Sequence, residues 1–347
     1  MRDGEPVAPD RYLRSARVGA VRHHDVADAS RVLELFDQGA TIVLQSLQRW
    51  WPPLAAFCRD LELTLGHPVQ ANAYLTPSGA RGLAPHHDTH DVFVLQSHGT
   101  KRWQVREPTV EAPLARHRSD HDDAAAQPVL FDADLTAGDC LYLPRGWIHS
   151  AAAQEGVSLH ITIGVLATTA YDVLRALVDR AADEPAFRAT LPVGWLDDPA
   201  PTVERIAHQL AAWLDKADAE GIGADLAGRF WTNRRPLLEG QLLQLTNLDR
   251  LDDTTTIRRR AGLVARITHD DEQLVVLVAD RQIRMPAALR PAVTLLLDGA
   301  PHAPLELDDL IDEQSRLVLV RRLIREGLLE ADVEPRPAGA RGRKHGD

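Results

Sequence analysis

Between residues 69 and 166 the chain breaks into short apolar runs at 69–76, 91–96, 101–106, 129–132, 139–143 and 157–166. Turn residues separate them: Ser78-Gly79, His98-Gly99-Thr100 and Ala137-Gly138. Runs this short, with β-branched and aromatic content and glycine between them, predict strands rather than helices. Strands of this number bury their apolar faces best as two facing sheets, so the pattern predicts a double-sheet jelly roll. Alternate residues of each strand then project into the space between the sheets.

The polar residues in this stretch are arranged for chemistry. In Pro85-His86-His87-Asp88-Thr89-His90-Asp91-Val92-Phe93-Val94-Leu95-Gln96, an extended backbone puts His86 and Asp88 on one face. A second block, Gly138-Asp139-Cys140-Leu141-Tyr142-Leu143-Pro144-Arg145-Gly146-Trp147-Ile148-His149, ends a strand and a turn on one histidine. Two imidazoles and a carboxylate on a rigid β scaffold form the facial triad of non-haem Fe(II) oxygenases, with positions left open for co-substrate and dioxygen. His86, Asp88 and His149 are the candidate ligands. A lone buried histidine is more often a hydrogen-bonded core residue, and an H-x-D pair is common by chance. It is their combination with the strand pattern that points to a metal.

His87 is expected to point away from Asp88, as a surface or second-sheet residue, while His90 shares the Asp88 face and is the substitute ligand. Lys101 is the candidate cation for a distal carboxylate, at the start of a strand expected to pair with that of Phe93, with Arg102 as the alternate if the register slips. Asn72 and Tyr74 share one strand face, as do His160 and Thr162, and all four are expected around the site, although such groups are equally often satisfied strand polar residues.

At 347 residues and 38.3 kDa the chain has room for two or three modules. No run approaches the ~20 apolar residues of a membrane span, and Met1-Arg2-Asp3-Gly4-Glu5 lacks a signal-peptide pattern, so a soluble, cytoplasmic protein without membrane contact is expected. Only Cys58 and Cys140 occur, which excludes a disulfide framework; Cys140 is expected to be a small buried residue. A formal charge of −11 argues against binding nucleic acid through the whole surface.

Before the strands, residues up to about Val26 are expected to be irregular, followed by helical spacing at 29–36 and a strand at 41–47. Pro52 and Pro53 open a helix whose apolar face is Leu54, Phe57, Leu61 and Leu65, ended by Gly66 and Pro68. The insert 107–127 is expected to be a mobile rim loop. Helical periodicity follows at 171–182, 203–217 and 237–245, with a surplus of apolar residues that suggests dimerisation. From 258 to 332 the pattern runs strand, turn, strand, then helices at 287–297, 305–311 and 314–326, resembling a winged helix. Its last helix carries only Arg316, Arg321, Arg322 and Arg325 beside many carboxylates, which argues against direct DNA reading. Residues 336–347 are basic and of low complexity, and are expected to be disordered.

The blocks Asn72-Ala73-Tyr74, Pro85-His86-His87-Asp88, Asp91 to Gln96, Gly99-Thr100-Lys101-Arg102-Trp103, Gly138 to His149 and Ser158-Leu159-His160-Ile161-Thr162 together resemble the JmjC-type ribosomal oxygenases of the cupin superfamily. The resemblance implies an α+β chain. Its parts are a double-stranded β-helix (cupin, JmjC) catalytic domain at 1–167 with its core at 69–166, a helical dimerisation region at 168–256, a winged-helix-like module at 257–333 and a disordered tail at 334–347. It implies Fe(II) and dioxygen at His86, Asp88 and His149, with 2-oxoglutarate at Lys101 and Asn72; Thr162, His160 and Tyr74 are expected to join them from their strand faces. It also implies a homodimer that hydroxylates an arginine or histidine of a ribosomal protein. Hydroxylation of a free amino acid or peptide natural product, and a non-catalytic metal-binding adaptor, are the competing expectations. The acidic Asp120, Asp122 and Asp123 favour a cationic target.

Overall fold

A computed structural model describes residues 1–2, 4–117, 121–236, 238–269 and 272–333; Asp120, Leu237 and the tail 334–347 lie outside the described residues. The chain divides into two units, the first ending at Thr168 and the second starting at Thr169.

The first unit opens with a hairpin, β1 (Leu13–Val18) and β2 (Val21–Ala27), where irregular chain is expected. Nearly all of its residues are exposed, so no apolar alternation marks it in the sequence. Helix α1 (Ala29–Asp37) starts at Asp28, whose carboxylate accepts from the Ser30 and Arg31 amides. After β3 (Ile42–Leu44), helix α2 (Pro52–Leu65) begins on proline and stops at Gly66, in the left-handed conformation. Its buried face is Leu54, Ala55, Cys58 and Glu62. Phe57 and Leu65, expected on that face, are exposed, because the Glu62 carboxylate turns inward to accept from the Val69 amide at 3.0 Å.

The jelly roll consists of β4 (Val69–Thr76), β5 (Asp91–His98), β6 (Lys101–Arg106), β7 (Val129–Leu135), β8 (Cys140–Leu143), β9 (Ile148–Ala153) and β10 (Ser158–Val165), with a short helix α3 (His121–Ala126) inside the expected rim loop. One sheet has the order β3-β4-β10-β5-β8 and the other β7-β6-β9. Strand β6 therefore pairs with β7 and β9, and not with the strand of Phe93. Sequence neighbours usually form hairpins, but here Gly99 (φ +66°) turns the chain from one sheet into the other. Buried Gln96 pins that corner, its amide donating to Ser158 Oγ at 2.9 Å and to the His98 carbonyl at 2.9 Å. On β8 the inward residues are Leu141 and Leu143, so Cys140 is exposed, against expectation. In a strand one residue of register decides the face.

On β4 the residues alternate. Val69, Ala71 and Ala73 are buried, and Val69 and Ala71 join Leu54, Cys58, Ile163 and Val165 in a core under α2. A second core, of Val92, Val94, Trp103, Val105, Leu135 and Leu143, lies between the sheets. Burying each such side chain contributes roughly 1.5–3 kcal/mol.

The second unit begins with α4 (Ala170–Ala181), capped reciprocally by Thr169 and Asp172, then α5 (Pro185–Arg188), α6 (Ala200–Leu214), α7 (Ala219–Thr232) and α8 (Gln241–Thr246). Helix α7 has no counterpart among the predicted helices; Gly221, Gly223 and Gly228 weaken its intrinsic propensity, and the Asp218 cap starts it. Strands β11 (Ile257–Arg259), β12 (Ala265–His269), β13 (Gln273–Val278) and β14 (Arg281–Pro286) precede α9 (Arg290–Leu296), α10 (Glu313–Arg325) and β15 (Leu329–Ala331). Around 304–307 the chain forms a 3-10 turn rather than the longer helix expected. Leu274, Val276, Val293, Val320, Leu323 and Ile324 form its core. Arg316 is buried against Asp253 and Asp308, Arg321 donates to the Leu248 and Leu251 carbonyls, and Arg322 to that of Arg284. Among the described residues no helix is long and apolar enough to cross a membrane.

Candidate metal centre

Strand register builds one wall of a cavity. β10 lies between β4 and β5, setting Thr162 opposite Asn72 and Val94, and His160 opposite Tyr74 and Gln96. The Tyr74 and His160 rings stack at 4.8 Å with 1° between their planes. The opposite wall is β6, whose Lys101, Trp103 and Val105 point inward. Facing β9 sets His149 against Val105 and Ala151 against Trp103.

His86 and Asp88 are not on a strand. They occupy the extended segment before β5, and an isolated backbone bridge replaces the expected ladder: the His149 amide donates to the His86 carbonyl at 2.8 Å and the His86 amide to that of His149 at 3.2 Å. This pair sets the two imidazoles side by side, with ring centroids 4.5 Å apart. Asp88 is held by its own carbonyl, which accepts from the Gly146 amide at 3.0 Å. A side chain at Gly146 (φ +90°) would strike the Val110 carbonyl at 2.6 Å, so the loop packs there only because the residue is glycine. His87 is buried rather than on the surface, its Nε2 3.1 Å from the His117 carbonyl.

One ligand atom from each of His86, Asp88 and His149 lies within 4.8 Å of the others. His86 Nδ1 contacts the Ala84 carbonyl at 2.7 Å and His149 Nδ1 the Trp147 carbonyl at 3.0 Å. Each contact keeps the ring proton on Nδ1 and leaves an Nε2 lone pair for a metal. Burial first, then His86, pushes His149 down to about 4, so its ring is neutral at pH 7. His90 stands outside this trio, with Nδ1 4.0 Å from Asp88 Oδ2.

The three residues open onto a cavity of about 200 Å³ that is also lined by Lys101, Asn72, Tyr74, His160 and Thr162. Lys101 is 2% exposed, and its Nζ donates to Thr76 Oγ1 at 3.0 Å. Burial pushes this ammonium down to about 8. Burial, and secondly Lys101, holds His160 well below the usual imidazole range. Tyr74 is pushed up by burial and then by Asp88, while a hydrogen bond with Thr162 opposes the rise. Asn72 Oδ1 accepts from the Ser46 amide at 2.9 Å. Arg102, the alternate to Lys101, turns outward to Asp132 at 2.6 Å.

Thr76, Trp103 and Gly82 were not among the predicted site residues. Thr76 continues the Asn72-Tyr74 face by one more alternation, a signal the sequence did carry. Gly82 sits in a loop with no periodicity; a side chain there would meet the Ala151 carbonyl at 3.2 Å and Lys101 Nζ at 3.7 Å. Thr76→Val is expected to destabilise the protein by about 1–3 kcal/mol, because it leaves a buried ammonium without its acceptor. Urea denaturation at pH 7 measures this, and an unchanged midpoint would contradict it.

The pattern of the JmjC domain family matches residues 48–173. These residues form a JmjC domain. The chain is 36% identical over 215 residues to ribosomal oxygenase 2 of Bos taurus, covering 58% of this chain and 46% of that protein. It is 33% identical over 208 residues to ribosomal oxygenase 1 of Homo sapiens, covering 56% of this chain and 32% of that one. The chain thus spans about half the length, or less, of these curated relatives. A structure of E. coli YcfD matches with TM-score 0.57 and 19% identity over 94% of this chain and 91% of that one. A second structure, of YcfD as a ribosomal oxygenase in complex with cobalt and 2-oxoglutarate, matches with TM-score 0.51 and 18% identity over 95% and 91%. At this identity the likeness is one of fold.

The donor set of the JmjC domain suits a divalent transition metal of the iron type. It offers two imidazole nitrogens and one carboxylate, each imidazole oriented by a backbone carbonyl on its far nitrogen.

Proposed function

We propose that the JmjC domain is an Fe(II)- and 2-oxoglutarate-dependent oxygenase that hydroxylates an arginine or histidine side chain of a ribosomal protein. The observation that carries this is the pairing, in one cavity, of an open three-ligand set with a buried lysine on the facing strand. A structural metal site closes its coordination sphere with protein ligands, whereas three ligands leave room for co-substrate. The ribosomal oxygenase relatives, and the cobalt and 2-oxoglutarate bound to YcfD, support the same assignment.

His86, Asp88 and His149 would hold the iron, which with 2-oxoglutarate and dioxygen supplies oxidising power for an unactivated C–H bond while succinate and carbon dioxide form. The protein does the rest by position. Lys101 would hold the far carboxylate of 2-oxoglutarate by a charge-assisted bond, and Asn72, Thr162, Tyr74 and His160 would line the path between it and the metal. The low-lying His160 stays neutral and adds no second charge beside Lys101. The exposed carboxylates Asp122 and Asp123 on α3 support a cationic substrate.

Exposed Leu174, Val178 and Val203 on α4 and α6 support a helical dimerisation region at 168–256. The arginines of α10 bonded within their own unit support a winged-helix-like module at 257–333 that does not read DNA. Ribosomal proteins from cells lacking this chain, incubated with it, Fe(II) and 2-oxoglutarate, test the main proposal. Mass spectrometry should show one side chain gaining an oxygen atom; succinate release with no such gain would refute the ribosomal target.

A further inference from the structure

His90 is not one of the clustered ligands, yet its surroundings are built for it. Its ring lines the cavity and lies over Gly164 of β10, where a Cβ would sit 3.0 Å from Nε2 and 3.1 Å from Cδ2. The missing side chain is what makes room for the imidazole. At the same Nε2 edge of the ring the amide nitrogen of Gln70 stands 3.2 Å from His90 Nε2. Gln70 in turn is the residue that β4 sets opposite Gly164, so one register position supplies both the cradle and the partner.

The chemistry of that partner fixes the ring. With the NH2 end of Gln70 toward the ring, as here, the amide donates, Nε2 accepts and the imidazole proton sits on Nδ1. Nδ1 is buried and makes no hydrogen bond, and it stands 4.0 Å from Asp88 Oδ2. That is beyond hydrogen-bond length, but within reach of a small rotation of the carboxylate. A buried donor left unpaired costs about 1–3 kcal/mol, so the site favours a carboxylate turned to meet it.

We propose that His90 is a positioning residue for Asp88: its Nδ1–H, directed by Gln70, donates to the carboxylate and holds it ready for the metal. The inference rests on the metal centre described above. It gives the third ligand the same kind of orienting contact that the Ala84 and Trp147 carbonyls give the two histidines.

The test is Mn(II) affinity of the full chain, by calorimetry under argon, with thermal melting of the metal-free forms as the folding control. His90→Phe keeps the ring and loses the donor, and is expected to weaken binding roughly 10- to 100-fold. His90→Asn places an amide N–H near the Nδ1 position and should recover most of that loss. Gln70→Leu should weaken binding in the same direction by less. Wild-type affinity in H90F, or an equal fall in H90F and H90N, overturns the proposal. An H90F chain that fails to fold leaves the decision to Q70L, whose unchanged affinity overturns it. Wild-type protein that binds no Mn(II) removes the metal centre itself, which unchanged H90F binding does not.

Discussion

Replacing His86, Asp88 or His149 by alanine is expected to reduce succinate formation from 2-oxoglutarate to less than about 1% of the wild-type rate. Loss of a residue that only orients a ligand already costs about 10- to 100-fold, and loss of a ligand must cost more. Mn(II) affinity should collapse in parallel, because the remaining two donors no longer define a face. The metal-free forms need not behave alike. His149 is buried at 7% exposure, so its removal leaves a hole beside Trp103, whereas His86 and Asp88 are only partly buried and their alanine variants should melt close to wild type. Any of the three variants that turns over at the wild-type rate would refute its place at the metal.

The second large effect is expected at Lys101. Lys101→Met should raise the Kd for 2-oxoglutarate roughly 10- to 100-fold, since a hydrogen bond to a charged group is worth about 1.5–3 kcal/mol. It should also change the pH dependence. With Lys101 at about 8 in the free protein, the ammonium that must meet the carboxylate is lost as pH rises. The wild-type Kd should therefore climb about tenfold per unit above pH 8, while that of K101M stays flat. Stability should move the other way. The folded pKa lies below the unfolded value of 10.5, so between about 8 and 10.5 the unfolded chain binds more protons and metal-free stability rises with pH. Melting of wild type and K101M across pH 7–10 tests the stability outcome, and parallel curves would show that burial does not lower the lysine in the folded protein.

The strands that fix the cavity were legible because their side chains alternate. β4 and β6 fall at the predicted bounds, with buried residues alternating with half-buried or exposed ones along 69–74 and 101–106. β9 was not legible, since Ser150, Ala151, Ala152 and Ala153 have neither β-branching nor contrast between faces; only pairing with β6 makes them a strand. The β1–β2 hairpin and α7 were missed for related reasons, the first lacking a buried face and the second carrying helix-weakening glycines. The outward turn of Cys140 and the buried face of α2 depended on a single step of register and on one inward-facing glutamate.

By itself the sequence determined the α+β class, the jelly roll and the identities of the clustered histidines and carboxylate, because period-two alternation and turn glycines are local properties of the chain. How those residues meet was decided only in three dimensions. His86 and His149 are brought together by a backbone bridge between segments 63 residues apart in the chain, and Lys101 reaches the cavity because β6 leaves the sheet of β5 for the one opposite. Long-range pairing of this kind leaves no periodic trace, since it depends on which strand edges remain free once the local elements have formed.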